Sequence, residues 1–503
     1  VAAAAVALAA AELVTVLTGP GSGPLVAVGG VVIDNSPAPV TEFAISTFGV
    51  HDKTALLLGT VILLAGAAGL LGAAAVRRLW IGLAGLAGFT AIGLVAALTR
   101  HEASAVAAVP TLVGAVAAVA SYLVLRGRSI DEAPAPAGDA PAGDGGAPSA
   151  TTRRGFLAVA AAVAGGAALA GFGGRWAATQ RDLTAARAAV DLPVPADPAS
   201  PVPAGADLDV PGLASYVTGN DDFYRIDTAL VVPRVDPDTW QLRIHGRVRR
   251  PYTIDFADLL SRPMVERYVT LACVSNEVGG DLIGNARWLG VPVTALLAAA
   301  EPEPGADQVV SRAVDGWTCG TPTAVLTDGR DALLAVGMNG QPLPLEHGFP
   351  VRMVVPGLYG YVSACKWIAE IELSSFADYD AYWVPRGWAP QAPIKTQSRI
   401  DTPRGRAAAG LVTVAGVAWA QHRGIERVEV QLDGGPWQEA ELADSVSADT
   451  WRQWFWRWED ATPGGHELVA RATDATGQTQ PAERSSPAPD GATGWHTVRV
   501  EVS

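Results

Sequence analysis

What most constrains this chain is the run of apolar blocks at its start. Residues 1–128 are almost entirely Ala, Val, Leu and Gly, interrupted by short polar junctions. A helix needs about 20 apolar residues to cross a hydrocarbon core, and inside that core its backbone must satisfy its own hydrogen bonds. The blocks therefore predict helices over roughly 1–18, 54–75, 79–98 and 104–125, forming a four-helix transmembrane domain, 1–128. His51 and His101 fall at helix ends, as do Glu12 and Glu42 or nearly so. With no buried His pair or acidic relay expected in the apolar cores, the helices read as an anchor or docking surface.

Arginines set the direction. Arg77 and Arg78 lie between the second and third helices, Arg126 and Arg128 follow the fourth, and Arg153 and Arg154 precede a fifth apolar run, 155–174. Alternating crossings put all of these on the cytoplasmic side, with Lys53, Arg100 and His101 outside. Everything after residue 175 is then exported. Thr152-Arg153-Arg154-Gly155-Phe156-Leu157 reads as a twin-arginine signal leading the helix at 153–175, against the plainer reading of a positive-inside anchor. That route carries folded proteins, typically loaded with a cofactor beforehand. The Pro/Ala/Gly/Asp tract at 129–152 reads as a cytoplasmic linker, and 176–215, with DLPVPADPASPVPAGADLDVPG inside it, as an exported one.

The remainder has ordinary soluble composition. A net charge of −14 with no basic run leaves nothing to neutralise phosphate, so nucleic acid is excluded as a partner. Cys273, Cys319 and Cys365 are too few for a disulfide framework and include no zinc-type pair, although Cys319 and Cys365 are candidates to pair with each other. Nucleophile elbow, phosphate loop, metalloprotease, haem-attachment and dinucleotide motifs are all missing from the sequence. Over 216–392 the pattern is α+β: strands at TWQLRIHGRV, HGFPVRMVVPG and WIAEIELS, helices at IDFADLLSR and PVTALLAAA. From 393 to 503 short strands alternate with turn residues such as Asp433-Gly434, which predicts an immunoglobulin-like β-sandwich. Trp454, Trp456 and Trp458 share one strand face and belong to a core or subunit contact more readily than to a binding surface.

Three segments carry candidate chemistry. In RYVTLACVSNEVGGDLIGNARWLGVPV, Cys273 ends an apolar strand at a Gly-rich turn, where a thiol either packs as a small hydrophobe or faces a cleft. In LPLEHGFPVRMVVPGLYGYVSACKWIAEIEL, Arg352 stands among apolar residues and needs an anion, with His347 and Lys366 as further donors. In GNDDFYRIDTALVVP, Arg225 follows Phe223 and Tyr224. A thiolate among cationic donors suits an anionic cofactor whose metal accepts sulfur, without choosing the metal. Two other readings use the same chain: a membrane-anchored receptor presenting a β-sandwich, or a thiol enzyme with Cys273 activated by His347.

The T-L-x-C turn followed by N-A-R-W-L-G-V, the H-G-x-P-x-R strand and S-A-C-K-W together resemble the sulfite oxidase family of molybdenum-cofactor enzymes over roughly 216–503. The resemblance implies a molybdopterin-binding catalytic domain followed by a dimerisation domain, with Cys273 as the thiolate on molybdenum. It implies a cofactor cradle of Tyr224, Arg225, Thr318, His347, Arg352, Ser363, Ala364, Cys365 and Lys366, with Arg287 near the active site. The implied chemistry is oxygen-atom transfer, either oxidising sulfite or reducing an S- or N-oxide. Haem, NAD and zinc are not expected. The implied partners are a small substrate, the membrane, a separate redox protein or quinone, and a second copy of the chain. The turn after Cys273 is Val-Ser-Asn-Glu-Val, without the arginine of animal and plant sulfite oxidases, and Glu277 would repel an anion if it faced the metal.

If Arg153-Arg154 is an export signal, replacing both by Lys should trap residues after 175 in the cytoplasm. Protease protection in intact spheroplasts reads this out, and normal export of the variant rejects the signal.

Overall fold

The computed structural model describes residues 1–18, 22–36, 40, 47–48, 52–75, 78–99, 105–131 and 183–503. These fall into two compact units: Val1–Ala185 with Ala229–Arg234, and Ala186–Thr228 with Val235–Ser503. The predicted fifth helix, its arginine pair and all of the cytoplasmic linker after residue 131 lie outside the described residues.

The first unit is helical: α1 (Ala2–Thr18), α2 (Pro24–Asn35), α3 (Asp52–Ala75), α4 (Leu79–Leu98) and α5 (Val109–Asp131). Three stretches, Lys53–Ala75, Leu79–Leu98 and Ala105–Val124, are long and apolar enough to cross a membrane, whereas the apolar part of α1, Ala2–Thr15, is shorter. Helix α2 was not expected. It starts at Pro24, which suits a first helical turn, and its 12 residues fall below the length sought in the sequence. Helices approach closely where residues are small. A Cβ on Gly114 would fall 2.7 Å from the carbonyl oxygen of Ala7, so α5 and α1 meet backbone to backbone. Glu12, in the second half of α1, is buried in the packing beside Gly23. Apolar side chains such as Leu63 and Leu70 point outward, 76% and 78% exposed.

The second unit holds the α+β region and the sandwich. One sheet has the order β2 (Tyr252–Asp255), β1 (Gln241–Gly246), β10 (Ile368–Ser374), β5 (Gln308–Ala313), β6 (Thr318–Pro322). The other has β3 (Val265–Ala272), β4 (Ile283–Pro292), β7 (Leu333–Met338) and β8 (Gln341–Pro342), with β9 (Arg352–Val354) also paired to β7. Helix Phe256–Leu260 is capped by Asp255, whose carboxylate accepts the Asp258 N–H, and Val293–Ala300 buries Leu296 and Leu297. The long strand expected over HGFPVRMVVPG shortens to β9. A cis Phe349-Pro350 bond and a 3₁₀ turn at Leu345–His347 take up its first half.

The C-terminal region is a two-sheet sandwich with orders β11-β13-β17-β16 and β12-β19-β18-β14-β15. These strands are β11 (Gln397–Thr402), β12 (Gly405–Ala407), β13 (Gly410–Trp419), β14 (Ile425–Leu432), β15 (Trp437–Glu439), β16 (Glu441–Leu442), β17 (Arg452–Ala461), β18 (Gly464–Asp474) and β19 (His496–Val502). Val414, Trp454 and Trp458 from one sheet meet Val428, Leu468 and Ala470 from the other. Trp456 packs against that core, so the Trp-rich strand is core and not an open binding face.

The expected exported linker is no free spacer over its described part. Arg187 donates from Nη2 to the carbonyl of Pro342 at 2.7 Å, and Ala196 N–H donates to Met264. Asp207 accepts from Tyr216 N–H at 2.9 Å and from Gln453 Nε2 at 3.0 Å. Its prolines hold an extended course with few internal hydrogen bonds, and free backbone groups find partners on β3 and β17 instead, as where Glu266 N–H donates to Asp197 O and Leu208 N–H to Gln453 Oε1.

Trp454 fills the sandwich core, but its indole N–H has no hydrogen-bond partner. Trp454→Phe should therefore cost little, while Trp454→Ala should destabilise the sandwich by about 3–5 kcal/mol through the cavity it leaves. Thermal unfolding followed by tryptophan fluorescence compares the two.

Candidate cofactor site

Cys273 follows the last residue of β3. That strand is apolar on its buried side, and the chain then turns through Gly279 and Gly280 to re-enter as β4. The Cys273 N–H donates to Leu282 O at 2.9 Å, closing the turn at its base. Ser275 N–H donates toward Sγ at 3.4 Å. The thiol is buried, and burial pushes its pKa up, partly offset by the Ser275 donors and the Lys366 charge. A cationic metal is the kind of partner that holds such a sulfur as thiolate.

Arg352 opens β9 and pairs with Ala335 on one side and Lys366 on the other. It is 5% exposed. Its Nη1 donates to His347 O at 3.2 Å, and its guanidinium lies over the Trp288 ring, 5.0 Å from the centroid. Among the described residues no carboxylate pairs with it. Burial lowers its pKa to about 10. Lys366 is also buried, with Nζ donating to Asp227 Oδ2 at 2.7 Å and to Glu346 O at 3.2 Å. Its pKa is lowered to about 8, first by burial, against which Asp227 works. His347 Nε2 lies 3.0 Å from Asn220 O, and burial with the nearby Arg352 charge lowers its pKa to about 4, leaving the ring neutral near pH 7.

Phe223 holds this corner together, stacked on Tyr224 at 5.2 Å and edge-on to Trp288 and His347. The Tyr224 hydroxyl is buried, and its pKa is raised by burial and by Cys273, against Arg352. Arg225 is more exposed and pairs with Asp227 at 3.0 Å. Ser363 and Ala364 cap a 3₁₀ turn: Ser363 Oγ donates to Tyr359 O at 2.9 Å, and Ala364 N–H to Gly360 O at 2.8 Å. Cys365 is buried and unbridged, its pKa raised well above the usual thiol value by burial and the neighbouring Cys319. The disulfide considered from the sequence is therefore not formed. Beside Lys366 opens a small cleft of about 40 Å³, lined also by Asp227, Asp315, Trp317 and Trp367, and the buried Trp317 indole N–H has no partner.

Tyr224, Arg225, Cys273, His347, Arg352 and Ser363 to Lys366 thus gather around one corner of the second unit. Arg287 does not join them. On β4 its neighbours Ala286 and Trp288 face the Phe223 side, so its own side chain takes the opposite face, half-exposed, with Nε 3.3 Å from Glu266. Thr318 turns elsewhere too, its Oγ1 accepting from Tyr382 N–H at 3.0 Å. Glu277 is exposed. Sequence reasoning passed over Asp227 and Trp288. The first stands two residues after Arg225, and the second lies inside N-A-R-W-L-G, whose own arginine is Arg287, so nothing local pairs Trp288 with the distant Arg352.

A buried thiol, a guanidinium without a carboxylate and a buried lysine, gathered at one corner, suit an anionic, metal-bearing cofactor. The donor set fits molybdopterin: sulfur for the metal and cations for phosphate. Residues 229–383 match the oxidoreductase molybdopterin binding domain, and 392–503 the Mo-co oxidoreductase dimerisation domain. Human mitochondrial sulfite oxidase is 33% identical over 58% of this chain and 62% of its own length. Sulfite oxidase of Arabidopsis thaliana is 30% identical over 54% and 83%, and the protein-methionine-sulfoxide reductase catalytic subunit MsrP of Ralstonia nicotianae 34% over 50% and 77%. Among solved structures, the sulfane dehydrogenase SoxCD from Paracoccus pantotrophus shares the fold, with a TM-score of 0.50 at 24% identity over 57% of this chain and 82% of that one. The chain belongs to the sulfite oxidase family of molybdopterin oxidoreductases.

Because Lys366 loses its proton near pH 8 while His347 is already neutral above about 4, anion affinity of the cofactor-free chain should be flat between these values. It should then fall as pH rises through about 8. Calorimetric titration with inorganic sulfate, whose charge stays constant across this range, measures it.

Proposed function

We propose that this is a membrane-anchored molybdenum-cofactor oxidoreductase that moves an oxygen atom onto or off a small substrate such as sulfite, on the exported side of the membrane. The observation that carries this reading is the buried Cys273 thiol beside the Arg352–Lys366 cations. Cys273 would ligate molybdenum, and Arg352, Lys366 and His347 would receive the pterin phosphate, with Tyr224, Ser363, Ala364 and Cys365 shaping the cradle. A bound molybdenum cofactor would supply oxygen-atom transfer chemistry there, while the protein would exclude water and fix the substrate's approach. Arg225, more exposed than the other cations and paired with Asp227, would form the outer edge of that cradle.

Reduction of an S-oxide is the second reading. It is favoured by the likeness to the Ralstonia reductase subunit and by the turn after Cys273, which carries no cation. Three apolar helices with outward-facing Leu63 and Leu70 support the anchor. The match to a dimerisation domain supports a homodimer through an immunoglobulin-like sandwich, and electrons would pass to or from a separate partner or quinone.

The full chain purified in detergent should contain about one molybdenum per polypeptide and turn over one of two substrates: sulfite with an artificial acceptor, or methionine sulfoxide with an artificial donor. Cys273→Ser should fold normally by circular dichroism and lose that turnover. A metal-free wild-type chain, or an active Cys273→Ser variant, rejects the proposal.

A further inference from the structure

The loop leaving Cys273 is tied to a second domain. Within the loop, Asn276 N–H donates to Cys273 O at 3.1 Å, Leu282 N–H to Asn276 Oδ1 at 2.9 Å, and Gly280 N–H to Glu277 O at 2.9 Å. These bonds close a ring over residues 273–282. Its distal half contains Gly279, at φ +81°, and Gly280, so its backbone specifies one conformation only weakly. The anchor comes from β11, the first strand of the sandwich. Arg399 Nη1 donates to Gly280 O at 2.9 Å, and its Nε donates to Asp401 Oδ1 at 2.6 Å. Both side chains of this pair are buried, 7% and 4% exposed. His496, from the last strand of the sandwich, packs so closely on Gly279 that a Cβ there would lie 2.2 Å from its ring. The His496 Nδ1 accepts Ile400 N–H at 2.9 Å, which fixes the ring in place.

A buried ion pair is not a cheap way to join two domains, since apolar residues of like volume are often as stable. What such residues would lack here is the third nitrogen of Arg399. Asp401 engages Nε and Nη2, while Nη1 is aimed at a carbonyl of the ring that begins and ends at Cys273. Asp401 in turn accepts Ala214 N–H at 3.1 Å, so the carboxylate orienting Arg399 is itself held from a third segment.

We infer that Arg399 is a positioning residue for the metal-binding thiol. The sandwich, beyond any part in dimerisation, sets the conformation of the Cys273 loop through the Arg399–Gly280 bond, with His496 closing against Gly279. The link to metal rests on the proposed role of Cys273, whereas the link to the loop does not.

The test uses the full chain, loaded as purified, with two readouts. Hydrogen–deuterium exchange follows the amides of Gly280 and Leu282, and electron paramagnetic resonance of partly reduced protein follows the Mo(V) signal. Arg399→Ala should speed exchange at those amides about tenfold, the effect of one lost charge-assisted hydrogen bond, with strand Arg452–Ala461 unchanged. It should also shift or broaden the Mo(V) signal, and Arg399→Lys should restore part of both. If Arg399→Ala fails to fold, the double variant R399A/D401N removes the pair without stranding either charge. It is expected to give the same loop exchange. Unchanged loop exchange with an unchanged Mo(V) signal in a folded variant overturns the inference. Absence of any Mo(V) signal from the unaltered chain counts against the molybdenum reading instead, and the exchange data still decide whether Arg399 holds the loop.

Discussion

The Arg352 guanidinium is the constraint around which the site is built. A cation this buried, supported by one good carbonyl contact and a Trp288 ring face, is costly in a folded protein unless an anion arrives to complete it. The surrounding architecture preserves that demand. Asp227, a carboxylate of the cluster, is taken up by Lys366 and Arg225. Phe223 and Trp288 shield the corner from water, which strengthens any charge interaction made there. The vacant electrostatic demand and the thiol sit at the ends of different strands, so the fold has to be complete before the two face one ligand.

Much of this was legible in the chain itself. The strands at Gln241–Gly246 and Ile368–Ser374, the helix Val293–Ala300 and all the long sandwich strands follow from local alternation or helical spacing, because each buries one face. Cys273, Arg352 and Lys366 stood out since each breaks the pattern around it. Arg287 was carried into the site by its motif, but strand alternation sends it to the other face of β4. That is a property of register, which a motif does not report.

Other misreadings have a common physical cause. Pro-rich sequence between 191 and 212 looks like a spacer because it cannot build its own secondary structure, yet its unpaired backbone groups are free to bond to finished sheets. Helix α2 is shorter than any membrane-length window. Each case was decided by contacts between distant segments, which local composition cannot register.

The course of residues 187–217 has a consequence for how the soluble part can be handled. Arg187 grips the Gln341–Leu343 turn, Asp197 pairs with Arg267, and Asp207 and Tyr216 bond to Gln453, Val446 and Thr450. The segment acts as a belt sewn through both soluble domains. An excised fragment beginning at the first obvious strand would lose it and expose a seam; one beginning ahead of Arg187 keeps the seam covered.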